Sequence, residues 1–334
     1  MAITETISLF FSNSVSSIGK FILFPIYIAL ILYVIVYFAG KNREIPLGEE
    51  FHKKSFFVSL SVIFGWFIYA LTPAAIRLPL GIMSLKSLIL LAVLVLTIQY
   101  LVFLGAELFS PEKTIITLGI GSGILRSTLA VSVMAPLAAE EEELSYTAAA
   151  AVMISDAVMI LRNILIIWIV GVFLGLYIIP PLFFLAPMFF MLVACTTAAY
   201  VLHRKWGQAE PVDFDPISIK GTILFIAIFV VSAYVAFGLL QAQSFIGLYA
   251  MSGIAGFLYG AAHLFVVAGL FLSKNISLTV GLTAAVFVTI GSVVSDLPYA
   301  YLNGAEKLTK ILLVAEIIPA VIGVITLFIY APFF

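Results

Sequence analysis

Six ionisable residues stand inside long apolar stretches of this chain: Arg126, Asp156, Arg162, His263, Asp296 and Glu316. Each would cost roughly 3 kcal/mol at the centre of a membrane helix, so each must pair, titrate or line a polar path. Two are positive, three are negative, and His263 titrates near neutral pH. That near balance fits structural ion pairs that fix helix register, and it also fits a substrate or proton path. Snorkelling of the longer side chains is the third reading.

Asp156 leads the candidates. It lies about nine residues into a helix that starts near Thr147, or roughly 13 Å deep. A hydrocarbon core is about 30 Å thick, so this is close to its middle. Ser155 and Asn163 give it polar company, and the expectation is a carboxyl facing the bundle interior as a proton or cation site. Arg126 and His263 each follow a glycine pair, Gly119/Gly123 and Gly256/Gly260, at the spacing that brings helix backbones close. Arg126, with Ser127 and Thr128 after it, would hold an anionic group or neutralise a carboxylate. Glu316 is a further buried charge. Pro298 and Pro319 follow Asp296 and Glu316 and are expected near kinks that free a carbonyl.

The elements that carry these residues follow from composition. Of 334 residues, 63% are hydrophobic and only 10% charged, with a mean hydropathy of +1.23. A soluble domain carries about 25% charged residues. Ten apolar runs stand out, near 18–38, 56–71, 85–104, 114–135, 148–170, 182–202, 222–240, 245–272, 278–301 and 311–330. Their lengths suit tilted helical crossings, and no ten-residue alternation suggests a barrel. The fold class expected is therefore an all-α integral membrane protein of about ten helices.

Connectors are short, and 204–213 acts as a linker between halves. If all ten runs cross, the loop Lys and Arg residues divide evenly and the positive-inside rule assigns no orientation. If the glycine-rich runs 114–135 and 245–272 instead enter and leave on one side, the basic residues gather on one face. Ten crossings are the favoured reading by a narrow margin.

An internal repeat of about four helices is expected. Gly119-Ile120-Gly121 lies over Gly253-Ile254-Ala255, and Ala150–Ser155 over Ala284–Thr289, at one offset with no gap. The halves would be 85–203 and 214–334, with 1–84 an added helical pair. Parallel and inverted repeats are both open, and sites in repeat transporters lie where halves meet. Arg162 and Asp296 are equivalent under this offset and opposite in charge. A parallel arrangement would set them at one depth as a buried ion pair, and this is the favoured expectation.

Enzyme chemistry finds little support. There is no HExxH, no aspartate-rich pair, no P-loop and no dinucleotide fingerprint. Three histidines lie far apart, and the single cysteine, Cys195, excludes a disulfide framework or a Cys-cluster metal site. A net charge of −1 with no basic stretch excludes nucleic-acid binding.

Several motifs carry a family resemblance. Gly119-Ile120-Gly121-Ser122-Gly123-Ile124-Leu125-Arg126-Ser127-Thr128 resembles a Gly-Gly-Leu-x-Ser-Ser-Thr signature. Ala157-Val158-Met159-Ile160-Leu161-Arg162 resembles Ala-Val-Met-x-x-Arg, and Asp215-Pro216-Ile217-Ser218-Ile219-Lys220 resembles Asn-Pro-Phe-Ser-Leu-Lys. In order and spacing these pieces resemble an uncharacterised membrane family often fused behind an MgtC/SapB-type domain. The chain departs from that family at Leu258-Tyr259-Gly260-Ala261, where the family has Asp-x-Asp-Ala, and at Ser295-Asp296-Leu297, where it has Ser-Asn-Thr. The resemblance implies a multi-pass protein of a prokaryotic inner membrane with a link to magnesium or other ion transport.

The function expected is a secondary transporter or permease for a small ion or solute, with its site between the halves. The alternative is a non-transporting regulatory or scaffold protein of the membrane. The partners implied are the lipid bilayer, the transported species, and a second copy or another membrane protein. No cofactor is implied.

Overall fold

The computed structural model describes residues 85–109, 115–125, 128–173, 182–204, 219–272 and 275–330, with scattered residues between 57 and 76. Arg126, Ser127, most of the expected pair 1–84 and nearly all of the linker lie outside them. Every described element is helical: α1 Leu85–Phe109, α2 Ile115–Leu125, α3 Thr128–Glu140, α4 Ser145–Phe173 and α5 Leu182–His203 come first. α6 Ile219–Gln241, α7 Phe245–Leu272, α8 Leu278–Val294, α9 Asp296–Leu302 and α10 Glu306–Tyr330 follow, with a short 3₁₀ turn at Glu142–Leu144.

Two units divide the chain. One comprises Met1–Pro111 with Asp215–Ala227, where Gln99 Nε2 donates to Thr222 Oγ1 at 3.1 Å. The other comprises Glu112–Phe214 with Ile228–Phe334 and contains all the described candidate residues. Within it α4 packs against α2, α3, α5 and α10, and α7 packs against α8.

Six stretches are long and apolar enough to cross a membrane: Glu142–Ile167, Leu185–His203, Thr222–Gln241, Phe245–Phe271, Leu278–Leu302 and Glu306–Tyr330. Side chains sort accordingly. On α10, Leu312, Glu316, Ala320, Gly323 and Leu327 recur at helical spacing and point inward. Val314, Ile317, Ile318, Val321, Ile325 and Phe328 are exposed, as suits a face wetted by lipid. Ser277 caps α8, its Oγ accepting from the Val280 amide at 3.3 Å. Pro298 falls in the first turn of α9, where a missing N–H costs nothing.

Ten straight crossings do not describe the two glycine-rich runs. Run 114–135 holds two described helices, α2 and the start of α3, with residues 126 and 127 between them outside the described residues. Run 245–272 is interrupted at Tyr259, which takes an extended conformation with φ −162° and ψ 78°. Ser252 Oγ and His263 Nε2 lie 3.0 Å apart across this break. Eleven residues of unbroken helix would separate them by about 16 Å, so the two arms of α7 fold back on each other.

A parity argument agrees. Lys307 Nζ lies 3.9 Å from Glu142 Oε2. Five crossings would separate these residues if α4, α5, α6, α7 and α8–α9 all spanned, leaving them on opposite faces about 30 Å apart. An even number is needed, and a folded-back α7 supplies it.

Glycines allow the tight packing of both broken runs. A Cβ on Gly119 would meet Ile154 at 2.7 Å and one on Gly123 would meet Val158 at 2.7 Å, both on α4. A Cβ on Gly256 would collide with the Val288 carbonyl and one on Gly260 with the Ser292 hydroxyl, both on α8. Gly256→Ala should therefore destabilise by about 1–3 kcal/mol, as overpacking against backbone does. Gly269→Ala, with open space around it, should be neutral or slightly stabilising. Thermal unfolding in detergent distinguishes the two. For the fold-back itself, a Glu142→Cys/Lys307→Cys double variant should cross-link with a short thiol-reactive linker. Labelling of the two cysteines from opposite faces of sealed vesicles would overturn the arrangement.

Candidate functional site

Three carboxyl groups meet inside the second unit. Asp156 of α4, Asp296 at the start of α9 and Glu316 of α10 are fully buried, and one oxygen of each lies within 4.8 Å of the other two. Neither oxygen of Asp156 and neither oxygen of Glu316 accepts a hydrogen bond. Asp156 lies eleven residues beyond Ser145 and Glu316 ten beyond Glu306. Those two helix starts lie on one side, as the contact of Lys307 with Glu142 shows, so both carboxyls stand about 15–17 Å along their helices from it. Cys195, buried on α5, lies in the electrostatic reach of Asp156 and Glu316.

Arg162 is not spent on a carboxylate. Its Nη1 donates to the carbonyls of Gly123, Ile124 and Leu125 at 3.2, 3.0 and 3.3 Å. These are the last described carbonyls of α2, and the final carbonyls of a helix have no amide partner within it. A cation there also complements the negative end of the helix dipole. Nε and Nη2 donate to Asn163 Oδ1 at 3.3 and 3.1 Å. Asn163 in turn donates to Thr289 Oγ1 at 3.2 Å.

The direction of α4 explains why the expected Arg162–Asp296 pair is absent. Asp156 is near Asp296, Asn163 bonds to Thr289, and Ile167 packs against the cluster of Leu264, Ala285 and Val288. Rising along α4 thus descends along α8, and the two helices run antiparallel. Asp296 is level with Asp156, whereas Arg162 is six residues, or about 9 Å, further along. The parallel arrangement that would have brought Arg162 and Asp296 together gives way to this reversed register.

A small pocket lies where the two broken runs come together. It is lined by Leu125 and Thr128 on either side of the first break, and by Gly256–Ala261 around the second. Met159, Arg162, Ser292 and Ser295 complete the wall. Its free volume is about 10 Å³, room for roughly one water. Ser292 Oγ donates to the Gly256 carbonyl at 3.0 Å, and Ser122 Oγ to Ser155 Oγ at 2.8 Å.

The predicted residues therefore divide into groups. Asp156, Asp296 and Glu316 are brought together, Thr128 and Arg162 line the pocket, and His263 closes on Ser252. Arg126 and Ser127 lie outside the described residues. Sequence reasoning did not bring the three carboxyls together and missed Tyr259 as a break. The first was not legible, because whether two helix starts share a face depends on how many runs cross.

Arg162→Gln should strip three carbonyls of a charged donor and cost about 1.5–3 kcal/mol of stability. Arg162→Lys should cost less, since it keeps the charge but not the fork. Scanning fluorimetry in detergent is the check, and an Arg162→Gln protein as stable as the native one would remove the capping role.

Comparison with known proteins comes down to one match. No curated protein and no solved structure matches the chain. The family described as Domain of unknown function (DUF4010) matches residues 93–304, well over half of the sequence and spanning both broken runs and the carboxyls Asp156 and Asp296. The chain belongs to this DUF4010 family.

Proposed function

We propose that this protein is a secondary transporter or permease for a small ion or solute, not an enzyme, with its site between two inverted halves of a prokaryotic inner membrane protein. The observation that carries this reading is the pocket lined by both helix breaks. Non-helical backbone at membrane depth is tolerated where it is buried in protein or lines a cavity, and broken helices meeting mid-membrane are a recurring transporter device.

Several features support inverted halves, 85–203 and 214–334. At the offset of 134 residues, Leu125, which ends α2, corresponds to Tyr259, which breaks α7. α1 corresponds to α6, α4 to α8–α9 and α5 roughly to α10. Gly119 and Gly123 meet Ile154 and Val158, while Gly256 and Gly260 meet Val288 and Ser292, the residues equivalent to those two. Equivalent helices α4 and α8 run antiparallel, as halves related by a twofold axis in the membrane plane require.

Each half then has three crossings and one re-entrant hairpin. Under this topology Lys41, Arg43, Lys53, Lys54, Lys113, Arg204, Lys205, Lys220, Lys307 and Lys310 share one face, and Lys20, Arg77, Lys86 and Lys274 the other. The positive-inside rule puts the larger group in the cytoplasm. The resemblance to a family often fused behind MgtC/SapB-type domains supports an ion-handling role.

Purified protein in liposomes should move at least one of protons, Mg²⁺ or organic anions above protein-free vesicles. Thr128→Leu, which fills the pocket, should lower that flux at least tenfold while the protein still elutes and melts as a folded species. No flux of any of these by folded protein would favour the regulatory or scaffold reading instead.

A further inference from the structure

Outside the pocket, the carboxyl group of three is the feature that needs a ligand. Asp156, Asp296 and Glu316 come from three helices, are completely buried and converge within 4.8 Å. Asp156 and Glu316 each turn at least one oxygen into this place, and neither oxygen of either residue accepts a hydrogen bond. Ionised carboxyls at this separation repel strongly in a dry interior, and neutral ones would still leave buried polar oxygens unsatisfied. A core that needed only packing would place Leu or Met at these positions.

We propose that Asp156, Asp296 and Glu316 form a binding site for a divalent cation of the oxygen-preferring class. Three carboxyls offer up to six oxygens, the ligand number such ions take. Three oxygens around an ion bound at about 2.1–2.4 Å stand at most about 3.6–4.2 Å from one another, so side chains that lie within 4.8 Å need close by only about 1 Å to ligate it. An all-carboxylate set with no nitrogen or sulfur donor suits a hard divalent ion.

Among the described residues no second such group of acids occurs. The site takes Asp156 from one half and Asp296 and Glu316 from the other; the positions equivalent to them at the offset of 134 residues are Ile290, Arg162 and Leu182, which cannot build the same ligand set. Binding is independent of whether the protein transports; only the bound ion's role as cargo or coupling ion rests on that reading.

The experiment is equilibrium Mn²⁺ binding to purified, chelator-treated full-length protein in detergent at pH 7.5, read from loss of the free Mn²⁺ electron paramagnetic resonance signal. One Mn²⁺ per chain should bind saturably and be displaced by Ca²⁺ or Mg²⁺. Asp156→Asn and Glu316→Gln should each weaken binding at least tenfold, while Glu142→Gln, an exposed acid, should leave it unchanged. Circular dichroism and elution position verify that each variant is folded. No saturable binding by the native chain, or equal binding by folded Asp156→Asn and Glu316→Gln proteins, would overturn the site. Binding without liposome flux would keep the site and sink the transport reading. Flux of any species by a chain that binds no Mn²⁺ would do the reverse.

Discussion

A helix that stops inside a membrane protein releases carbonyls and amides that water cannot reach, and protein groups must satisfy them. Much of the second unit is organised around this demand. The end of α2 is met by the Arg162 guanidinium, which spreads donors over three successive carbonyls. The break in α7 lies beside Ser292, whose hydroxyl reaches the Gly256 carbonyl. Glycines next to both breaks let neighbouring backbone approach closely enough for these bonds to form. Asn163 then ties the first arrangement to the second through Thr289.

Arg162 and Asp296, opposite in charge, serve different ends. Arg162 satisfies a helix terminus, while Asp296 joins Asp156 and Glu316. An antiparallel register separates the positive and negative groups by about two turns of helix, too far for neutralisation by contact. The acidic group consequently keeps its own electrostatics, and Arg162 cannot quench it.

Hydropathy and spacing made much of this legible. Apolar runs located the helices, the glycine pairs marked the close contacts, and the cost of buried charge singled out Asp156, Asp296 and Glu316. Direction was hidden. A run of 28 apolar residues from Phe245 to Leu272 is long enough to cross, and hydropathy does not register that it turns around at Tyr259. The same blindness led from charge opposition to an Arg162–Asp296 pair, because which residues share a depth depends on whether helices run the same way. The partner of Arg162 was also illegible in principle, since main-chain carbonyls have no letter in a sequence.

The glycine contacts carry a mechanical consequence. Gly256 is pressed against the Val288 main chain and Gly291 against the Gly253 main chain, so the first arm of α7 and α8 mesh backbone to backbone from both sides. Surfaces joined by side chains can slide as rotamers exchange, but interlocked backbones have no such lubricant. Shear between this arm and α8 is blocked, and the pair behaves as one stiff plate. Freedom is left at Tyr259, where extended backbone replaces the hydrogen-bond ladder. Bending therefore costs least at that residue, and the His263–Ser252 contact ties the two arms together across it.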